Sequence, residues 1–419
     1  MEIFRKDLQL AVRTLLKSPG FAAIAVLTLT LGIAVNATMF SLVSAFLLRR
    51  PPCQEPERIA VVSSIDPTPG FESDTNPVSA PNYLAWREAN HVFTDMAAAE
   101  EHRSVSLNLG NRPLSIYAAV VTASYFNVLG VKPQLGRTFD TGEDLQGRDR
   151  VAILSYGLWE QYFASDTHIP GQTVRINREL YTIIGVMPKN FKLLGYTPQL
   201  WIPLVLNQGD QTAAAHKNRT LHVFARLKPG VTLEQAGAEM ATLARRTQQD
   251  FPDTEKQWGA AVRTLPDFLI YDFGIRSVLA LTMTVVGFVL MIACTNVAGL
   301  LLARVAGRQR EISIRLALGA GRLRIIRQLL TEGLLIAMLG LGLGLLLTYW
   351  GVRFVQASMT FNEAFSAVTI SLDSNVLIFA AVTSLISAAL CGLAPSLKAS
   401  RTDITSNLKD ESHGSSGGR

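Results

Sequence analysis

The sequence predicts a membrane protein with four transmembrane α-helices, arranged one plus three, and a large α+β domain between the first and second. Three observations carry this. The 419 residues are 48% hydrophobic and only 17% charged, against the ~25% charged residues usual in soluble domains. The deficit is local, because four long runs without a charged residue alternate with stretches of ordinary composition. Arginine is concentrated between the second and third of these runs, and basic residues in short connections mark the cytoplasmic side.

Residues 1–17 read as an amphipathic helix, with Phe4, Leu8, Ala11, Val12 and Leu15 on one face and Arg5, Lys6, Gln9, Arg13 and Lys17 largely opposite. Such a helix lies along the inner membrane surface. The first span, residues 18–48, exceeds the ~20 residues a bilayer requires. A secretory leader would have an apolar region of ~7–15 residues and a small-residue cleavage site, so the span is retained. Residues 49–275 have the composition of one or two soluble cores. Within them Arg58–Val62 reads as a strand, and Thr173–Asn177 with Tyr181–Val186 as a hairpin turning at Asn177–Glu179. Ala80–Asn90 reads as a helix, and another starts at Thr232, where Thr232 and Gln235 form a capping box and Pro252 follows the end. Gly136-Arg137, Met187-Pro188 and Gln208–Lys217 read as loops.

The remaining spans are 276–303, 333–352 and 374–397, separated by a segment at 304–332 and a short loop at 353–373, with a tail at 398–419. Arg304, Arg308, Arg310, Arg315, Arg322, Arg324 and Arg327 stand against Glu311 and Glu332 in 304–332, whereas 353–373 holds one Arg and two acids. The Arg-rich segment and both termini are therefore expected in the cytoplasm and the large domain outside. Arg49 and Arg50 oppose this weakly, since they head a long translocated domain. The three inner segments are together more positive than the whole chain's +6, which leaves the rest slightly acidic. The basic balance is thus a topology signal, and no nucleic-acid partner is expected.

Several chemistries lack their residues. The phosphate-cradling GxxxxGK[ST] loop does not occur, so ATP hydrolysis by these residues is not expected. The six histidines show no HExxH and the three cysteines no CxxC, so no metal or cofactor is assigned. Cys53 is an odd thiol on the oxidising side, either buried and unpaired or bridged to another chain. No GxSxG elbow accompanies the outer Ser, His and Asp residues, and no catalytic residue is assigned. Asn218-Arg219-Thr220 is a glycosylation sequon by pattern only. No span holds an ionisable residue near its middle, which disfavours a proton relay. Small residues do recur at close-packing spacing, Ala37, Ser41 and Ala45 in the first span and Gly340 and Gly344 in the third, suited to contact within the chain or between copies.

The segment GRQREISIRLALGAGRLRIIRQLLTEG, Gly307 to Gly333, reads either as a basic juxtamembrane loop on anionic lipid or as a docking surface for a cytoplasmic protein. It resembles the signature of the MacB/FtsX-type permeases of ABC transporters, through Arg310, Glu311, Ile312, Ile314, Arg315, Ala317, Leu318, Gly319, Ala320, Ile325, Leu330 and Glu332. It departs from that pattern at Ser313, where Gly is usual. Within the large domain, Ser124–Phe139, Val151–Phe163, Gly171–Phe191 and Leu200–Leu204 are similar to the MacB-like periplasmic core domain. A nearer resemblance is to one half of the duplicated, acidobacterial-type orphan permeases, through Ile292–Arg304, Ala225–Ala236 and Cys391–Asp410; the chain is then a single-unit permease or the first half of a duplicated one. The resemblance implies a multi-pass protein of the bacterial inner membrane. It implies a separate cytoplasmic ABC ATPase docking on Arg310, Glu311, Arg315, Gly319, Ala320 and Arg322. A second permease unit and a periplasmic adaptor are the further partners, beside membrane lipid. Transport of a substrate and transmembrane signalling to a periplasmic partner both fit this plan.

Overall fold

The computed structural model describes residues 2–45, 52–66, 74–109, 112–189, 191, 198–272, 275–307, 322–359 and 370–400. They form a helical unit from the two ends of the chain and an α+β unit from the stretch between.

The chain opens with α1 (Glu2–Leu16) and α2 (Pro19–Val43). Pro19 starts α2, where its missing N–H costs nothing and its fixed φ suits a first helical turn. Along α2 every fourth residue, Ala25, Leu29, Ile33, Ala37 and Ser41, is buried.

The α+β unit contains β1 (Ile59–Ile65), β2 (Val78–Ser79), α3 (Ala80–Ala89), β3 (Phe93–Leu109), β4 (Arg112–Val121), α4 (Tyr125–Leu129), β5 (Leu135–Gly136), β6 (Val151–Leu154) and α5 (Tyr156–Tyr162). It continues with β7 (Thr173–Ile176), β8 (Glu179–Val186), β9 (Leu200–Pro203), β10 (Arg219–Leu227), α6 (Leu233–Asp250), α7 (Pro252–Glu255), β11 (Gly259–Thr264) and α8 (Leu265–Asp272). The strands make one sheet in the order β11-β1-β10-β3-β4-β9-β6-β8-β5, with β2 on β10 and β7 bridging β3 and β8. The pairs β4–β9 and β6–β8 are parallel.

Both faces of the sheet are covered, as period-two alternation requires when each face has its own core. Ala60, Val62, Met96, Ala98, Val223 and Leu154 point to one side, where Tyr83 and Trp86 of α3 and Met240 and Leu243 of α6 pack. Ile59, Val61, Ala97, Ala99, Phe224 and Ile153 point to the other, against Phe126 and Leu129 of α4 and Phe268 of α8. Phe126 is fully buried, with the rings of Tyr125, Phe139, Phe191 and Trp201 centred 5.3 to 5.9 Å away.

The local signals act as their chemistry dictates. Gln235 N donates to Thr232 Oγ1 at 3.2 Å and Thr232 N to Gln235 Oε1 at 3.0 Å, closing the capping box of α6. The β7–β8 hairpin turns on Asn177 and Arg178, both at positive φ, the backbone a two-residue turn between right-twisted strands needs. Asn177 also ties the turn to β3 by accepting from Ser106 N at 2.8 Å. Two expected loops differ. Gly136 lies in β5, where a Cβ would stand 2.1 Å from the Ile184 carbonyl oxygen, so only glycine admits this pairing. Gln208–Lys217 forms two 3-10 turns, Gln208–Gln211 and Ala213–Lys217, the first held by a capping box between Asn207 and Asp210.

The closing helices are α9 (Ile275–Gly307), α10 (Arg322–Met359) and α11 (Ser374–Ser400). The third expected span therefore belongs to a longer helix, running without a break from Arg322 through the expected boundaries at 333 and 352. Among the described residues, Pro19–Val43, Ser277–Arg304 and Leu330–Ser358 are long and apolar enough to cross a membrane, and the apolar stretch Ser374–Leu390 of α11 is shorter.

Truncating Phe126 to Ala should lower unfolding stability by about 3–5 kcal/mol, whereas Thr232→Ala should cost only ~1 kcal/mol. Denaturant melts of the two variants, followed by tryptophan fluorescence, would check this ranking.

Candidate functional site

Of the residues expected to dock a cytoplasmic partner, Arg310, Glu311, Arg315, Gly319 and Ala320 lie outside the described residues, and Arg322 is the first residue of α10. Ten residues further on, Glu332 is 2% exposed at the start of the membrane part of that helix.

The small residues of the third span face α2. A Cβ on Gly340 would lie 3.1 Å from Leu29 Cβ, one on Gly344 3.2 Å from Ile33 Cγ2, and one on Gly351 2.8 Å from Thr38 Oγ1. Ala37 is fully buried, Ser41 returns its hydroxyl to the Ala37 carbonyl at 2.8 Å, and Ala45 is half-buried. Gly32 brings α9 equally close, its would-be Cβ falling 3.1 Å from Leu290 and 3.3 Å from Ala293. Polar side chains reinforce these approaches. Asn36 Nδ2 donates to the carbonyls of Gly32 and Val286, both at 2.9 Å. Ser384 Oγ of α11 donates to Ala337 O of α10 at 3.0 Å, and Phe40 stacks on Phe379 with centroids 4.1 Å apart. Leu27, Leu31, Leu281, Ile292, Leu346 and Leu385 remain exposed, apolar residues suited to lipid contact.

In the α+β unit, a buried polar cluster joins residues far apart in sequence. Asn82 Nδ2 donates to Glu255 Oε2 at 3.1 Å, which leaves Asn82 Oδ1 to accept from His216 Nδ1 at 2.9 Å. Arg219 Nη2 donates to Glu255 Oε1 at 2.6 Å, Nη1 to the His216 carbonyl, and the guanidinium lies 3.8 Å over the Trp258 ring. Asn82, His216 and Glu255 are each at most 2% exposed. Burial holds the His216 imidazole below its ordinary range; Glu255 pulls the other way, but Arg219 opposes protonation. The ring is therefore neutral with its proton on Nδ1, and Nε2 has no hydrogen-bond partner. His216 and Phe251, with rings 4.2 Å apart, line a groove of about 620 Å³ between α3 and the end of α6. No spacing rule links positions 82, 216, 219 and 255, so the cluster was invisible in the sequence.

Cys53 is a free thiol packed against the second core. Burial pushes its pKa up to about 12 despite the nearby Arg226, which keeps it protonated and unreactive at neutral pH. Among the described residues, no group of three or more His, Cys, Asp or Glu could hold a metal ion.

Comparison with known proteins separates along the same lines. Residues 22–243 match the model of the MacB-like periplasmic core domain, and residues 283–404 that of the FtsX-like permease C-terminal. The Macrolide export ATP-binding/permease protein MacB of Salmonella paratyphi A is 26% identical over 325 residues, 76% of this chain and 47% of that protein. The Uncharacterized ABC transporter permease YknZ of Bacillus subtilis is 28% identical over 242 residues, 57% of each chain. The chain thus spans about half the length of these relatives. The crystal structure of the periplasmic region of MacB from Actinobacillus actinomycetemcomitans aligns with a TM-score of 0.37 and 14% identity, covering 52% of this chain and 92% of that one. An α+β domain inserted between apolar helices, with an FtsX-like closing part, defines a membrane permease. The chain belongs to the MacB/FtsX-type permeases of ABC transporters.

Two outcomes follow from this geometry. Because the His216 pKa is depressed on folding, the unfolded chain binds more protons as pH falls below ~6.5, so stability declines on that side. The thermal midpoint of the full chain should fall between pH 7 and 5, and His216→Gln should flatten this slope. Glu255→Gln leaves the Arg219 charge unpaired and should destabilise by about 3–5 kcal/mol, read in the same melts.

Proposed function

We propose that this chain is the permease subunit that couples ATP hydrolysis by a separate cytoplasmic ABC ATPase to movement of its periplasmic domain, for export or extraction of a substrate. The observation that carries this reading is the FtsX-like match over 283–404, which contains the Gly307–Gly333 motif between the second and third spans. In it, Glu311 and Arg315 contact the ATPase, with Gly319, Ala320, Arg310 and Arg322 completing the docking surface. Both termini lie in the cytoplasm and the α+β domain on the outer face of the inner membrane, consistent with the arginines of 304–332.

A symmetric ATPase dimer needs two permease surfaces, so a second unit, a copy of this chain or a covalent second half, completes the assembly. A periplasmic adaptor and lipid at the apolar helix faces are the remaining partners. The bundle suits transmission of motion: the Asn36 amide is engaged between helices.

Reversing Glu311 to Lys should abolish retention of the ATPase in a pull-down on the tagged full chain while leaving membrane insertion intact. Undiminished retention would remove Glu311 from the docking surface.

A further inference from the structure

Arg304 lies in the last turns of α9, just before the Gly307–Gly333 segment in the chain. Its side chain reaches the junction between α1 and α2. Nη2 donates to the carbonyl of Thr14 at 2.6 Å and to the hydroxyl of Ser18, and the guanidinium carbon stands 4.6 Å from the centre of the Phe21 ring.

Each contact answers a local need. In the last turn of α1, Lys17 N bonds Arg13 O and Ser18 N bonds Leu15 O, so the backbone leaves the Thr14 carbonyl for a side chain. The end of a helix carries partial negative charge, which a cation stabilises. Ser18 Oγ also reaches Thr14 O at 3.3 Å, making a small polar cluster around one guanidinium. Phe21 covers the guanidinium face, and a planar cation stacks on an aromatic ring in a way an ammonium does not. Beside this cluster, Leu15 of α1 packs into the apolar bundle core that holds Val297 and Leu301 of α9.

We propose that Arg304 is a positioning residue that clasps the α1–α2 junction to the cytoplasmic end of α9, so that these helices move as one body. The chain connectivity gives the clasp its consequence. The main stretch of the α+β unit, residues 49–276, is joined to the bundle through the C-terminal end of α2 and the N-terminal end of α9. A displacement delivered by the segment after Arg304 then enters both connections together, instead of α9 alone. Asn36 Nδ2 on Val286 O makes a second bond between the same two helices, nearer their middle. This role rests on the coupling function proposed above, whereas the clasp itself is a property of the isolated chain.

The test has one arm for each. Spin labels at Arg13→Cys on α1 and Ala306→Cys on α9, in full chain lacking Cys53, Cys294 and Cys391 and held in lipid nanodiscs, report the distance across the clasp. A single narrow distribution is expected for Arg304. Arg304→Ala should lose that population, whereas Phe21→Leu and Arg304→Lys, each keeping a cation but losing the stack, should retain it in broadened form. Equal widths in all four proteins would overturn the clasp.

The second arm uses the ATPase that co-purifies with the tagged full chain. Arg304→Ala should retain as much ATPase but lower permease-dependent stimulation of ATP hydrolysis roughly tenfold, with partial recovery in Arg304→Lys. Loss of retention would make Arg304 part of the docking surface, and undiminished stimulation would show that the clasp carries no coupling; either overturns the positioning role. Absence of any co-purifying ATPase would sink the coupling function and the role built on it, while the label distances still decide the clasp. Should Arg304→Ala fail to insert, Phe21→Leu and Arg304→Lys provide the same comparisons.

Discussion

The helical unit depends on how closely α2 can approach helices made much later in the chain. Water drives apolar surfaces together, but lipid tails are as apolar as the helices themselves, so bundles in a bilayer rely on short-range packing and a few hydrogen bonds. Here the approach is made by omission. Gly340 and Gly344 leave room for Leu29 and Ile33, and Gly32 leaves room for Leu290 and Ala293. Phe40 and Phe379 close the remaining side by stacking. With α2 in contact with all three closing helices, enlarging any of these glycines would disturb the element from which the others take their places.

The α+β unit is held by different physics. Its sheet buries both faces, with neighbouring residues such as Ala60 and Val61 entering opposite cores, and burial of apolar surface from water dominates its stability. The Asn82, His216, Arg219 and Glu255 cluster is its polar exception. Each charge there is paired and each buried amide used, which prevents the large penalty of an isolated buried ion. This cluster ties α3, α7 and the turn before β10 to one another.

Much of this architecture was legible in the sequence, and the misses have identifiable causes. Uninterrupted apolar runs located the three helices long and apolar enough to cross a membrane, since a bilayer imposes a length that soluble cores do not. Capping at Thr232 and the turn near Asn177 were legible because their chemistry is local. The long β3–β4 pairing was not. Ala97-Ala98-Ala99-Glu100-Glu101 is composed of strong helix formers, yet it lies in a strand paired with β10 on one side and β4 on the other. Tertiary pairing overrides propensity there, and the register with β4 shifts between Glu100 and Arg103. The buried polar cluster was hidden for another reason, as its members come together only when the sheet is complete. The proposed docking residues come instead from a contiguous motif and its resemblance to a family signature, neither of which requires knowledge of the fold.

The bond from Asn36 to Val286 also places a demand on biosynthesis. The two residues are 250 positions apart, and at ~5–20 residues per second the ribosome needs about 12 to 50 s to supply the acceptor. During that interval α2 stands in the membrane with an amide that hydrocarbon cannot solvate. Its second contact, the Gly32 carbonyl one turn earlier in the same helix, gives the side chain a local resting place. The young helix can thus wait for α9 without recruiting a stray partner, and the later bond is added to an amide already turned inward.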